Sequence, residues 1–185
     1  MSLADKVSII RILLIPFFVS FLIVYKRFGL DYSRYIALGI FIIAVLTDFF
    51  DGLAARIKKE KSEIGKVIDP LADKMLLITA FVSLYFLKFP LLPWWVVLIV
   101  VSRDIIILIG VFILNFLKIE IVILPSVWGK LTTFFQMAAI ISVLSGFVFS
   151  YVIGCVAVLF TIISGVGYIK RGVRSINASN INSGN

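Results

Sequence analysis

Apolar residues run along this chain in six stretches broken only by short polar connections. Each stretch is roughly 20 residues long, enough to cross a hydrocarbon layer about 30 Å thick. With 62% of its 185 residues hydrophobic and 15% charged, the chain lies far from soluble domains, which are about one-quarter charged. Helices satisfy their own backbone polar groups in lipid, so the expected fold is all-α: a polytopic integral membrane protein with six transmembrane helices. The spans are expected near Ser8 to Tyr25, Tyr35 to Leu53, Val67 to Leu87, Trp94 to Leu117, Val127 to Phe149 and Tyr151 to Tyr168. They form one domain over residues 1–174, and the polar segment 175–185 is expected to be a disordered cytoplasmic tail.

Basic residues set the orientation. Of the 18 lysines and arginines, only Lys26, Arg27, Arg34 and Lys88 follow the first and third spans, and the remaining fourteen lie toward the other side. The positive-inside rule then places both termini in the cytoplasm, as expected of a multi-pass protein of the cell inner membrane. The net charge of +8 follows from that bias and from attraction to anionic membrane lipids, so no nucleic-acid partner is implied. Histidine is absent and Cys155 is the single cysteine, which excludes histidine acid–base catalysis, His-dependent zinc sites and intrachain disulfides.

Five carboxylates, Asp48, Asp51, Asp69, Asp73 and Asp104, sit inside or at the ends of apolar stretches. A carboxylate persists there when it is paired, hydrated or bound to metal. Asp48 and Asp51 are three residues apart and Asp69 and Asp73 four apart, so each pair shares a helical face. A short connection between the two helices makes them antiparallel neighbours and brings all four carboxylates to one depth near the cytoplasmic surface. Oxygen ligation of a hard cation such as Mg²⁺ or Mn²⁺ would relieve their repulsion. Gly52, Ala55 and Gly65 keep the same faces free of bulk, although close helix packing would account equally well for Gly52. Arg56, one turn further on, suits a phosphate or an aspartate partner.

The stretch reads Asp48-x2-Asp51-Gly52-x2-Ala55-Arg56-x8-Gly65-x3-Asp69-x3-Asp73. It resembles the signature of the CDP-alcohol phosphatidyltransferases at every fixed position. The resemblance implies a single displacement in which an alcohol attacks the β-phosphorus of a CDP-linked lipid and CMP leaves. It also implies two divalent cations, with Asp48, Asp51 and Asp69 as ligands and Asp73 as general base touching or adjoining a metal. Ser8, Asp48, Gly52, Ala55, Arg56 and Gly65 would then contact CDP-diacylglycerol, and the enzyme would be a homodimer.

Two further segments bear on the acceptor. Asp5-Lys6-Val7-Ser8-Ile9-Ile10-Arg11 resembles the Asn-x2-Thr-x2-Arg opening of the members that make phosphatidylglycerophosphate, and Gly129-Lys130-Leu131-Thr132-Thr133-x2-Gln136 resembles their Gly-Lys-x-Lys-Thr-x2-Gln. Thr132 stands where a second lysine is common. Arg103-Asp104 also resembles the Ser-Arg-Asp of members that make cardiolipin. Arg11, Lys66, Lys74, Arg103 and Lys130 are candidates to cage an anionic acceptor, although snorkelling to the interface accounts equally well for Lys66 or Lys130. The expected acceptor is therefore glycerol 3-phosphate. The alternatives are phosphatidylglycerol, or another alcohol such as inositol phosphate or serine. A reading of a different class is a divalent-cation transporter.

Overall fold

The computed structural model describes the backbone of residues 3–58, 65–89, 92–116 and 127–182, and their side chains except at 3–8, 48–58, 65–70, 73, 111, 113–116 and 169–182. The described residues form six α-helices and no strands: α1 (Leu3–Phe28), α2 (Asp31–Lys58), α3 (Gly65–Phe86), α4 (Trp94–Phe116), α5 (Val127–Ser145) and α6 (Ser150–Asn182). Ile9–Phe28, Val127–Ser145 and Ser150–Tyr168 are long and apolar enough to cross a membrane. Lys74–Phe86 is a shorter apolar helix within α3.

Local chemistry explains where the helices stop. α1 ends at Gly29, whose φ of 67° puts it in the left-handed region that closes helices, and its N–H bonds to Tyr25 O at 2.9 Å. α3 ends with Lys88 at φ 52°. Phe89 N donates to Leu84 O at 3.0 Å and Lys88 N to Tyr85 O at 2.9 Å, the paired bonds of a Schellman cap. α5 ends the same way at Gly146 (φ 74°), with Phe147 N to Ser142 O at 2.9 Å and Gly146 N to Val143 O at 3.2 Å.

α6 continues to Asn182, so the backbone of the polar segment from Ser175 to Asn182 carries the helix on. Extending an existing helix gains a hydrogen bond per residue without a new nucleus, so a polar sequence can follow the apolar one before it.

α1 packs along both α2 and α3, α4 lies between α3 and α6, and α5 packs on α6 and more lightly on α2. Phe18, Leu22, Phe41, Leu77, Phe81, Leu84, Val96, Val100, Ile140 and Leu144 fill the core, with the Phe18 and Phe41 rings 5.8 Å apart. The outside is equally apolar: Phe17, Ile43, Leu98, Phe112 and Phe134 are each more than half exposed. A helix that is hydrophobic all round belongs in lipid.

Successive helices reverse direction. The Tyr25 ring at the end of α1 packs at a tilt against Phe89 after α3, 5.4 Å between centroids, and Lys26 Nζ donates to Lys88 O at 3.1 Å. The Arg34 guanidinium at the start of α2 lies over the Tyr25 ring at 5.6 Å. Trp95 of α4 meets Tyr151 of α6 at 6.5 Å. These contacts gather the outgoing ends of α1 and α3 with the incoming ends of α2, α4 and α6. The start of α1, the end of α2 and the start of α3 therefore share the opposite end.

The Gly146 cap gives a prediction. An Ala there would strain the left-handed backbone by about 1 to 2 kcal/mol, and its Cβ would stand 3.5 Å from the Arg34 guanidinium. Gly146→Ala should lower the thermal unfolding midpoint in detergent and leave the kinetic constants alone, since the cap lies at the far end from the aspartate motif. An unchanged midpoint would remove any special role for glycine at this cap.

Candidate active site

Both halves of the aspartate motif lie on helical backbone. Asp48, Asp51, Gly52, Ala55 and Arg56 occupy the last turns of α2, and Gly65, Lys66, Asp69 and Asp73 the first turns of α3. The i,i+3 and i,i+4 spacings thus act as helical spacings, and each aspartate pair shares one face. The side chains of these nine residues and of Ser8 lie outside the described residues, as does the connection 59–64.

Immediately after Asp73 the described side chains resume, and they form a charge cluster. Lys74 Nζ donates to Asp104 Oδ1 at 3.0 Å. Arg103 Nη1 donates to the same oxygen at 2.6 Å, and Arg103 Nη2 donates to Ser164 Oγ at 2.6 Å. α3, α4 and α6 are therefore tied at one point. Asp104 is wholly buried, whereas the Lys74 and Arg103 side chains keep 17% and 12% exposure. Two cations one carboxylate oxygen apart repel by about 3 kcal/mol at an effective dielectric of about 20, and the carboxylate between them offsets that repulsion.

Gly165 makes room for the arrangement. A Cβ there would lie 3.5 Å from Arg103 Cγ, so a longer side chain would press on the arginine stem. Arg103 also lines a mostly apolar groove of about 260 Å³ between α4 and α6, with Ile99, Ile106, Thr161, Ile162 and Tyr168 among its walls.

Of the other sequence-derived cations, the side chain of Lys66 lies outside the described residues. Arg11 is buried in α1 at 2% exposure, and Lys130 is exposed on the first turn of α5. The structure thus joins Lys74 and Arg103 through the shared Asp104 Oδ1. Thr132, at the position where a second lysine is common, is fully buried. Its hydroxyl lies 2.8 Å from Trp128 O and 2.9 Å from Phe160 O of α6. One turn on, buried Gln136 donates from Nε2 to Thr161 Oγ1 at 3.4 Å. This face of α5 holds α6 in place and carries no charge. Ser164 escaped the sequence reading; its one available signal was a hydroxyl within the last apolar stretch.

Comparison with known proteins identifies the family. The family model for CDP-alcohol phosphatidyltransferase matches residues 1–163. A probable phosphatidylglycerophosphate synthase of Mycobacterium tuberculosis is 36% identical over 181 residues, spanning 95% of this chain and 83% of the relative. The CDP-diacylglycerol–glycerol-3-phosphate 3-phosphatidyltransferase of Bacillus subtilis is 29% identical over 200 residues, spanning 97% of this chain and 99% of the relative. The human cardiolipin synthase (CMP-forming) is 27% identical over 198 residues, spanning 95% of this chain and 63% of the relative. With its motif on two helix ends and a likeness that runs nearly end to end, the chain is a membrane enzyme belonging to the CDP-alcohol phosphatidyltransferase family.

Proposed function

We propose that this enzyme makes phosphatidylglycerophosphate for phospholipid biosynthesis by transferring the phosphatidyl group of CDP-diacylglycerol to glycerol 3-phosphate. The acceptor oxygen bonds to phosphorus, the bond from phosphorus to CMP breaks, and the acceptor proton passes to Asp73. The likeness to phosphatidylglycerophosphate synthases over 95% of the chain carries this reading. The paired cations Lys74 and Arg103 support it, because a phosphorylated acceptor wants fixed positive charge beside the reacting hydroxyl.

Asp48, Asp51 and Asp69, with Asp73 adjoining, suit Mg²⁺ or Mn²⁺ by their chemistry: hard oxygen donors at helical spacings in a chain without histidine. Two divalent cations held there would neutralise the pyrophosphate and the departing CMP. Gly52, Ala55 and Gly65 leave room for the nucleotide, Arg56 and Ser8 contact the CDP-lipid, and the acyl chains stay in the bilayer. Arg11, Lys66 and Lys130 complete the basic surroundings of the acceptor. The six helices span the inner membrane with both termini and the motif on the cytoplasmic side, in keeping with the lysine and arginine asymmetry and the alternating helix directions. The resemblance that implies the metal site also implies a homodimer. A divalent-cation transporter fits less well: an ion path needs cation-ligating groups continuing to the far side, and there the described buried residues include Leu22, Leu84, Val96 and Leu144 with the serines Ser33, Ser142 and Ser150 and no buried carboxylate.

A transferase assay of the purified protein with CDP-diacylglycerol and a panel of acceptors tests the reaction. Glycerol 3-phosphate should be consumed and CMP released one for one, and phosphatidylglycerol should yield no cardiolipin. Cardiolipin formation without glycerol 3-phosphate turnover would replace the acceptor and keep the reaction class. Chelation should abolish turnover without unfolding the protein, and so should Asp48→Asn, Asp51→Asn or Asp69→Asn; activity that survives exhaustive chelation refutes the metal site.

Asp73→Asn should lose kcat and retain most CDP-diacylglycerol binding, whereas Asp51→Asn should lose both. Equal loss of affinity in the two variants would make Asp73 chiefly a ligand. Arg103→Gln should raise the acceptor KM by about ten- to hundredfold, the equivalent of about 1.5 to 3 kcal/mol for a lost charge-assisted contact. The KM for CDP-diacylglycerol should barely move, and a parallel rise in both constants would count against acceptor contact.

A further inference from the structure

The cluster on α3, α4 and α6 contains an acidic residue that neither substrate needs directly. A structural ion pair buried in a membrane bundle is expected to be balanced, because each uncompensated charge is costly there. Among the described residues this cluster has two cations and one carboxylate. The carboxylate of Asp104 is wholly buried, while the Lys74 and Arg103 side chains both keep some exposure, so the anion is the more deeply enclosed partner.

The bonding is lopsided in the same sense. Both cations converge on Oδ1, although a carboxylate has two oxygens and a guanidinium can span both. Asp104 Oδ2 accepts no hydrogen bond among the described residues. Convergence on one oxygen weakens the pairing that a second oxygen would strengthen, and it sets two cations from different helices side by side. Ser164 fixes the second terminal nitrogen of the guanidinium. An ammonium has three donors and a guanidinium five, so both cations retain N–H groups for a further anion. Lys74 follows Asp73, the candidate base, directly in α3.

We propose that Asp104 is a positioning residue that holds Lys74 and Arg103, with Ser164 steadying Arg103, as a two-cation seat for the phosphate of the acceptor. The inference rests on the reaction proposed above and adds the residue that assembles the seat. Asp104 then touches no substrate and governs acceptor affinity through the cations it pairs.

The test uses the full chain in lipid or detergent, with KM measured separately for glycerol 3-phosphate and CDP-diacylglycerol alongside kcat and the unfolding midpoint. Asp104→Asn should raise the glycerol 3-phosphate KM by about tenfold or more while the CDP-diacylglycerol KM stays within about twofold. Asp104→Glu should recover part of the loss, and Ser164→Ala should raise the same acceptor constant by a few-fold. A purely structural role would instead move both KM values together or lower only the unfolding midpoint, and either result overturns the proposal, as does an unchanged acceptor KM in Asp104→Asn. If Asp104→Asn does not fold, Ser164→Ala decides: a selective acceptor effect supports the seat and an unchanged acceptor KM overturns it. Failure of the reaction assignment shows separately, as a wild-type protein that releases no CMP with glycerol 3-phosphate.

Discussion

Lipid tails are as apolar as leucine, so burying one hydrophobic helix face against another gains little beyond packing, and polar contacts carry much of the specificity of assembly. This bundle, apolar inside and out, depends on a few of them. Asp104 is the strongest, since it joins Lys74 of α3 to Arg103 of α4 and, through that guanidinium, reaches Ser164 of α6. Thr132 and Gln136 do the same for α5 against α6 with uncharged groups. At the far end, Lys26 bonds to the carbonyl of Lys88 and lies over the Phe89 ring, closing α1 on α3 where both helices stop.

The same economy suits the chemistry. A lipid substrate stays in the bilayer while its partner arrives from water, so the reacting groups belong at helix ends. The motif occupies the last turns of α2 and the first turns of α3. In the proposed reaction, a cation cluster one residue beyond Asp73, on the helix that carries it, would give the acceptor phosphate an anchor close to the proposed base. Mobility lost at the anchor is mobility the hydroxyl need not lose during attack.

Much of the fold was legible in the sequence because apolar runs measure a membrane. The expected spans at Trp94 and Val127 begin where α4 and α5 begin. Hydropathy measures lipid thickness rather than helix length, however, so it missed the polar turns by which α2 reaches Lys58 and α6 reaches Asn182. Gly29 and Gly146 advertise their caps, but nothing about lysine announces the left-handed turn at Lys88. At the site, Arg103 beside Asp104 was visible as a pair. Lys74 and Ser164 joined it only through the register of three helices, which local spacing does not contain. The carboxylate motif was legible because its spacing is helical within each half.

Thr132 limits how acceptor sites can be exchanged between relatives. Its side chain is sealed between two helices, with a carbonyl of α6 2.9 Å from the hydroxyl. Importing the lysine common at this position would not simply add a cation to the acceptor seat. The longer, charged chain would have to force α5 away from α6 or find a path out that this packing does not provide. Residue 132 and the α6 backbone at Phe160 therefore form one packed unit, to be transplanted together or not at all. A chimera cut between α5 and α6 would separate groups that the two helices have fitted to each other.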